Sequence, residues 1–437
     1  MRQVRGLEGL GMSSNKLTLF GEVPDNWAVS EIGEIAELRQ GLQISKKLRV
    51  SADVKGSIPL LKITDLPNGI FSEYVKDIPE NYIASKEDII YTRTGQVGLV
   101  YTNVQGCVHN NCFKVILDYN KFDKNYIYYY LNSKNVWKYS NSVASGSVQK
   151  DLTHGAFKKC LIAYPELDEQ RAIGIILSTL DEKIETNNQI NKKLEEMAQA
   201  IFKQWFVDFE FPNENGEPYK SSGGEMVESE MGMIPKGWKV REISSIFNVK
   251  DGTHNSPKAI EKGYPLVTSK HLMDTRLDFE TANKISEVDY NEVNKRSKVN
   301  RYDILISMIG TVGNLYLVQN EEIKFAIKNV GLFKTSERLD LYEYMYCYLN
   351  TPIIRQYIKE RMAGSTQQYI SLSELRKIPI ILPKDSKFDL IKEFKKIANP
   401  IFNEIYTISN EVEKLAEARD KLLPKLMSGE IRVPINN

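Results

Sequence analysis

Cysteine is scarce in this sequence. Cys107, Cys112, Cys160 and Cys347 are the only four, too few and too scattered for a disulfide framework, and a reducing cytoplasm is the expected setting. No apolar run reaches the roughly 18 residues that span a membrane. The opening, Met1 to Asn15, carries Arg2 and Arg5 without an apolar stretch; it reads as a loose leader rather than a secretory signal, with Met12 as an alternative start. A charge excess is also missing, since 58 Lys and Arg face 57 Asp and Glu for a net charge of +1. That balance argues against a stand-alone, non-specific nucleic-acid binder, which is usually basic. Any contact with nucleic acid must come from local basic loops or from partners.

Several catalytic signatures are absent. There is no Gly-rich phosphate loop ending in Gly-Lys-Ser/Thr, which argues against ATP hydrolysis by this chain. The pattern that holds a flipped amino base, Asn or Asp followed by Pro-Pro and an aromatic, has its nearest approach in Asn399-Pro400-Ile401-Phe402, which lacks the second Pro. No nucleophile elbow is recognisable. Cys107, His109 and Cys112 have no second cluster nearby to complete a four-ligand zinc site, so no metal is expected.

What the chain does have is a duplication. With 437 residues it exceeds one typical core, and 42% hydrophobic with 26% charged residues describes an ordinary globular protein. The run from Pro24 through Trp27, Ile32 and Ile35 to Gly41 is answered by Pro235, Trp238, Ile243, Ile246 and Gly252, with the same Trp-to-Gly spacing in both. Pro59-Leu60-Leu61 is answered by Pro265-Leu266-Val267. Asp88-Ile89-Ile90 with Gly95, Val97, Gly98 and Tyr101 returns at one constant offset as Asp303-Ile304-Leu305 with Gly310, Val312, Gly313 and Tyr316. Gly146-Ser147-Val148-Gln149 and Pro165 return, at a slightly larger shared offset, as Gly364-Ser365-Thr366-Gln367 and Pro383. Five echoes in one order, at slowly drifting spacing, are the mark of an internal repeat with variable loops.

Each copy opens with short β-rich runs punctuated by Gly and Asn, and contains a Tyr-rich helix, at Asn125 to Tyr130 and at Tyr342 to Leu349. Each closes with a long heptad-striped helix. In the first the stripe runs Ile173, Leu177, Leu180, Ile184, Asn187, Asn191, Leu194, Ala198, Ile201, Trp205. In the second it runs Ile391, Phe394, Ala398, Ile401, Ile405, Ile408, Val412, Leu415, Leu422. Narrow stripes of this length are coiled-coil seams, and a helix lying on a globular core is the alternative. The expected class is α+β: two tandem pseudo-symmetric mixed α/β domains separated by a pair of long antiparallel coiled-coil helices. The expected segments are a leader 1–19, domain 20–166, helix 167–211, polar linker 212–233, domain 234–384, helix 385–428 and tail 429–437. A helix of about 40 residues is roughly 60 Å long, so two recognition faces some 30–60 Å apart are compatible with duplex turns of about 34 Å.

The repeat, the openings at Trp27 and Trp238, the run Ala200-Ile201-Phe202-Lys203-Gln204-Trp205-Phe206-Val207-Asp208-Phe209 and the run Tyr219 to Gly224 before Ile234-Pro235-Lys236-Gly237-Trp238 resemble the specificity subunits of type I restriction-modification enzymes. The first opening, Asp25-Asn26-Trp27, lacks the Gly of the second. The resemblance implies that the two α/β domains are target-recognition domains of a non-catalytic DNA reader for an asymmetric bipartite target. It also implies two methylation subunits using S-adenosylmethionine and two restriction subunits using ATP and Mg, with no cofactor on this chain. A self-contained methyltransferase and a coiled-coil scaffold that never touches DNA are the alternatives.

Candidate DNA contacts lie in the glycine-punctuated loops. Gln43, Lys46 and Lys47, with Lys250, Thr253, His254 and Lys258, open the two domains and suit phosphates. Thr92, Arg93 and Thr94, with Ser307 at the matching place, precede the paired glycines, and Arg93 suits a guanine edge. Ser145, Ser147 and Gln149, with Ser365, Thr366 and Gln367, combine exposed amides with adenine-reading side chains. Lys270 completes the set, while Lys295-Arg296-Ser297-Lys298 reads as a solvated face. Trp205, Phe206 and Phe209 read first as packing of a helix end, which is compatible with their being candidates for docking a methylation subunit.

Overall fold

A computed structural model describes residues 16–273, 276–383 and 389–434. Most of the expected leader, the alternative start at Met12, the boundary at 384–385 and the last three residues of the tail lie outside them. The chain divides into two compact units. The first takes the chain up to Glu185 together with the segment from Lys414 onward, and the second takes Thr186–Glu413.

In the first unit an antiparallel four-stranded sheet has the order Ala36–Gln40, Cys112–Leu117, Ile89–Thr92, Val100–Tyr101. A second four-stranded sheet orders Tyr74–Val75, Ile58–Leu61, Gly106–Val108, Ile83–Ala84, with a parallel pair at its centre that sets Leu60 against Cys107. The second unit repeats both. Val249–Asp251, Val330–Phe333, Ile304–Ser307 and Leu315–Leu317 form one sheet. Lys284–Ile285, Tyr264–Val267 and Ala326–Ile327 form the other, again with the parallel pair. The sheet strands are short and fully buried at their centres (Ile89, Ile90 and Tyr91; Ile304, Leu305 and Ile306), which is why they read as β-branched runs rather than alternating ones.

The Tyr-rich helices form at Lys124–Leu131 and Tyr342–Leu349. Their tyrosines at i and i+4 lie on one face and reach the strand that closes each domain. Tyr126 and Tyr130 donate to the carbonyls of Ala163 (2.6 Å) and Leu161 (3.1 Å). Tyr344 and Tyr348 donate to those of Ile381 and Pro379. Buried phenols thereby meet their acceptors twice in the same geometry.

The long helices span Leu167–Phe206 and Asp389–Met427. In the second unit Asn187 donates to Glu411 (2.9 Å) and Asn191 to Ser409 (3.0 Å), so the helices run antiparallel. In the first unit Asp181 pairs with Arg419 at 2.6 Å. The heptad stripes divide by function along their length. Ile173 and Leu177 belong to the first unit's core, while Ala198, Phe394, Ala398, Ile401 and Ile405 belong to the second's. The helix ends therefore lie on globular cores, and the middle carries a polar seam in which Asn187 and Asn191 are almost fully buried.

The segment expected as a polar linker is built structure. Met226–Ser229 and Gly232–Pro235 make a hairpin, and Tyr219 stacks on Phe211 (4.6 Å), which stacks on Trp238 (5.7 Å). Most of its Gly, Ser and Glu residues face solvent and dominate the composition, while the aromatic stack packs beneath them. The end of the second long helix also returns to a core. Leu426 and Met427 are buried in the first unit's core, and Arg432 forms ion-paired hydrogen bonds to Glu169 (2.7 and 2.8 Å). Gly429 has φ +71°, and a Cβ there would stand 2.7 Å from Pro24, so the chain turns closely over the opening of the first domain.

Candidate nucleic-acid interface

Gly41 ends the strand Ala36–Gln40 at a place where no side chain fits. Its amide donates to Cys112 (3.0 Å) and the next amide, of Leu42, to Val108 (2.8 Å), carrying the chain from one sheet to the other. A Cβ on Gly41 would lie 2.3 Å from the His109 carbonyl. Gly252 repeats this, with its amide on Val330 (2.9 Å), Thr253 on Ile327 (3.0 Å), and a Cβ position 2.4 Å from the Ile327 carbonyl. The repeated glycine is thus explained by close backbone approach rather than by turn freedom.

From that crossing a hydrogen-bonded frame joins loops that are far apart in sequence. In the first unit the Asn110 amide donates to Leu42 (3.2 Å), and the Asn110 side chain to Gln43 (3.3 Å). The Asn111 carbonyl accepts the amides of Arg93 (2.8 Å) and Thr94 (3.3 Å), and Gly95 donates to Lys150 (2.9 Å). Ser145 and Asp151 exchange both backbone bonds (2.9 and 2.8 Å). In the second unit Asn329 donates to Thr253 (3.3 Å) and its side chain meets His254 (2.9 Å). Ser269 donates to the Asn329 carbonyl (3.0 Å) and accepts the amides of Met308 (3.0 Å) and Ile309 (3.2 Å). Gly310 donates to Gln368 (2.9 Å), and Ala363 and Tyr369 exchange both backbone bonds (2.8 and 2.9 Å). Gly146 (φ +97°) and Gly364 (φ +93°) make the same tight turn, since a Cβ would stand 2.2 Å from Gln149 and 2.3 Å from Gln367 carbonyls.

On this frame the expected contact residues separate into three groups. Ser145, Ser147, Gln149, Ser365, Thr366 and Gln367 are exposed at the turn tips, and Gln43, Lys46, Lys47, His254, Lys258 and Lys270 are also exposed. Lys250, Thr253 and Thr94 are half-buried. Thr92 and Ser307 are fully buried, a correction to their reading as DNA contacts. Their hydroxyls donate to the carbonyls of Gln96 and Thr311 and accept the amides of Leu99 (2.9 Å) and Asn314 (2.8 Å), so they hold the loop from inside.

Arg93 also differs from the expected free fork. One terminal nitrogen meets both carboxylate oxygens of Asp151 (2.9 and 2.8 Å), and Thr94 donates to the same carboxylate (2.7 Å). The Thr94 hydroxyl and then the Arg93 guanidinium hold the Asp151 carboxyl below the usual range. Arg93 therefore ties two loops together at the surface. At the matching positions of the second unit stand Met308, Ile309 and a partly exposed Tyr369, so one ledge is ionic and the other apolar. Arg296, read as part of a solvated face, stays more than half exposed while its guanidinium reaches the buried Asp251, which His254 also meets at 3.0 Å.

Phe206 and Phe209 are buried and Trp205 is partly buried, which is the helix-end packing the sequence suggested. Phe206 packs against Tyr344 (4.9 Å) and Phe394 (5.3 Å), Phe209 against Trp238 (5.8 Å), and Trp205 against Phe394 (6.3 Å). These rings complete the second unit's core because the helix end must bury them somewhere. Cys107 and Cys112 are buried, with thiols pushed up to about 11 and about 12 by desolvation, and among the described residues no His, Cys, Asp and Glu group is arranged to hold a metal. Sequence reasoning missed Asn110, Asn111, Asn329, Ser269, Asp151 and Lys328. The pair His109-Asn110 and Lys328-Asn329 offered a signal, since an Asn recurs at the corresponding place of the second copy, directly after a β-rich run.

The chain matches the family model described as the type I restriction modification DNA specificity domain twice, over residues 24–196 and 235–417. It is 27% identical over 435 residues to the type I restriction enzyme MjaIX specificity subunit of Methanocaldococcus jannaschii, covering 96% of both chains. It is 26% identical to the HindI specificity subunit of Haemophilus influenzae, covering 82% of this chain and 90% of that one. Its fold is similar to the crystal structure of the type I restriction-modification S subunit from M. genitalium (TM-score 0.54, 19% identity, covering 92% of this chain and 96% of that one). With the same hydrogen-bonded frame built twice and the family match falling on both copies, the chain belongs to the type I restriction-modification specificity subunits.

Proposed function

We propose that this chain is the DNA-reading, non-catalytic subunit of a type I restriction-modification complex, and that it selects an asymmetric target in two parts. The observation that carries the reading is the pair of matching backbone frames bearing different side chains: Arg93, Thr94 and Asp151 on one, Met308, Ile309 and Tyr369 on the other. A frame that is kept while its surface changes is what two readers of different half-sequences require, because backbone contacts position and side chains specify.

On this reading adenine methylation and cleavage are performed by partner subunits, two for methylation and two for restriction. S-adenosylmethionine, ATP and Mg are held by those partners, and the complex works in the cytoplasm. Among the described residues no helix is long and apolar enough to cross a membrane. The near-neutral charge of the chain fits a reader that relies on partners for much of its hold on the phosphate backbone.

The test is replacement of residues 20–165 by the corresponding segment of another specificity subunit, followed by genome-wide mapping of modified adenines. One half of the methylated target changes and the other stays. Change in both halves, or methylation by the isolated chain without partners, overturns the reading.

A further inference from the structure

Beside the second unit's frame lies a small cavity of about 200 Å³, bounded by the loop after Gly252, the one-turn helix Ser269–His271 and the turn at Lys328. Lys270, Lys328, Ser256, Thr268 and Asn283 line it, and among the described residues that line it none is a carboxylate. Lys328 donates to the Ser256 hydroxyl, which fixes its ammonium at the rim. Among the described residues neither lysine has an ion-pair partner. His271 forms the neutral wall. Its Nδ1 accepts the Thr268 amide at 2.9 Å, and burial pushes its pKa down. With a water taking about 30 Å³, the space admits a phosphate group and a few waters.

The first unit shows what the same place looks like without this chemistry. Backbone bonds align the two: His271 donates to Thr268 (2.9 Å) as Asp65 does to Lys62 (3.0 Å), and Lys328 donates to Val267 (2.8 Å) as His109 does to Leu61 (3.3 Å). Lys270, His271 and Lys328 are therefore replaced by Thr64, Asp65 and His109, and Thr268 by Lys62, whose ammonium is already paired with Glu73 (2.8 Å) and Asp65 (3.5 Å). The Asp65 carboxylate accepts from Ser72 and Thr64 and is held below the usual range, so it is charged and repels an anion. Burial, then Arg49 and Lys62, lowers the His109 pKa and keeps that ring neutral.

We propose that Lys270 and Lys328, with Ser256, Thr268 and Asn283, form a seat for one DNA-backbone phosphate that is present in the second recognition unit and absent from the first. The proposal rests on the DNA-reading function above. It makes the pocket a positioning site, since it anchors the duplex without reading a base.

The experiment uses the assembled complex and a duplex carrying its target, with binding measured across a salt series. In Lys270→Met/Lys328→Met the slope of log affinity against log salt falls by about 0.9, the value for one phosphate contact, while the methylated sequence is unchanged. Lys328→Arg keeps the slope. Thermal unfolding checks the fold, and the exposed Lys270→Met alone shows a smaller drop of the same sign should Lys328→Met destabilise the unit. An unchanged slope in a complex that still selects its target overturns the pocket and leaves the functional reading standing. A changed methylated sequence assigns the pocket to base reading and overturns it too. Stabilisation by inorganic phosphate alone, without the change in slope, assigns it to a free anion and likewise overturns it. A wild-type complex without sequence preference defeats the functional reading instead, and the slope difference still reports on the pocket.

Discussion

Arg93 illustrates how a residue chosen for its chemistry acquires a second role from its neighbours. Its guanidinium is half-buried against Asp151, and through that carboxylate it joins the loop after Thr92 to the turn at Gly146. Replacing Asp151 by Asn removes the ionic clamp from the first unit's ledge and leaves the second untouched. The expected outcome is relaxed discrimination in one half of the target only, read by mapping modified adenines. Glu73 offers a pH test at the same scale. Its hydrogen bonds from Arg49 and Lys62 lower its pKa to about 2. A carboxyl depressed in the folded state contributes stability above its unfolded pKa of about 4.3 and loses it as pH falls toward the folded value. Glu73→Gln therefore flattens the acid side of the stability curve between about pH 4 and pH 2, by about 1 kcal/mol for a partly exposed pair, measured by denaturant titration at stepped pH. No pattern of spacing reveals such partners, because Arg49, Lys62 and Glu73 meet only across a sheet.

At the scale of elements, the long helices carry two kinds of surface. Their ends are wide and apolar where they lie on cores, and the middle is a seam with buried Asn187 and Asn191. The Asn191 carbonyl oxygen has no hydrogen-bond partner among the described residues, so this seam sacrifices stability for register. Asn187→Leu/Asn191→Leu is expected to raise the melting temperature and to broaden the gap lengths the complex accepts; a higher melting temperature with a single unchanged gap would dismiss the register role. The return of the second helix makes a sharper demand. Glu169 is 3% exposed and Arg432 is its ion-pair partner. Arg432→Gln leaves a buried carboxylate unpaired, at a cost of about 2 kcal/mol, below the fully buried range because the arginine is partly exposed. The double variant Glu169→Gln/Arg432→Gln recovers part of that loss, measured by chemical denaturation. The heptads and the Tyr-rich helices were legible from spacing alone. The aromatic stack of Phe211, Tyr219 and Trp238 was not, since three rings in a Gly- and Ser-rich context leave no periodic mark.

For the whole molecule, the duplication makes each unit a composite of its own domain and the returning end of the other long helix. A net charge of +1 predicts that the isolated chain binds duplex DNA weakly and that affinity rises steeply once methylation subunits are added, measured by titration at fixed salt. Tight, sequence-selective binding by the chain alone would contradict this. Adding one heptad to each long helix, within 180–194 and at the antiparallel positions near 409–415, is expected to lengthen the permitted gap by roughly three base pairs, as about 10 Å of helix corresponds to that length of duplex.

The sequence by itself determined the repeat, the α+β class and the two long helices, because each of these rests on local spacing or on order along the chain. Tertiary structure alone decided which candidates face outward. It turned Thr92 and Ser307 inward, closed Phe206 and Phe209 into a core, set Arg93 on Asp151 and brought Lys328 to Lys270. The reason is physical. Whether a polar side chain is a contact or a strut depends on which distant residue folding places beside it, and that information is carried by the packing of sheets and not by the spacing of residues.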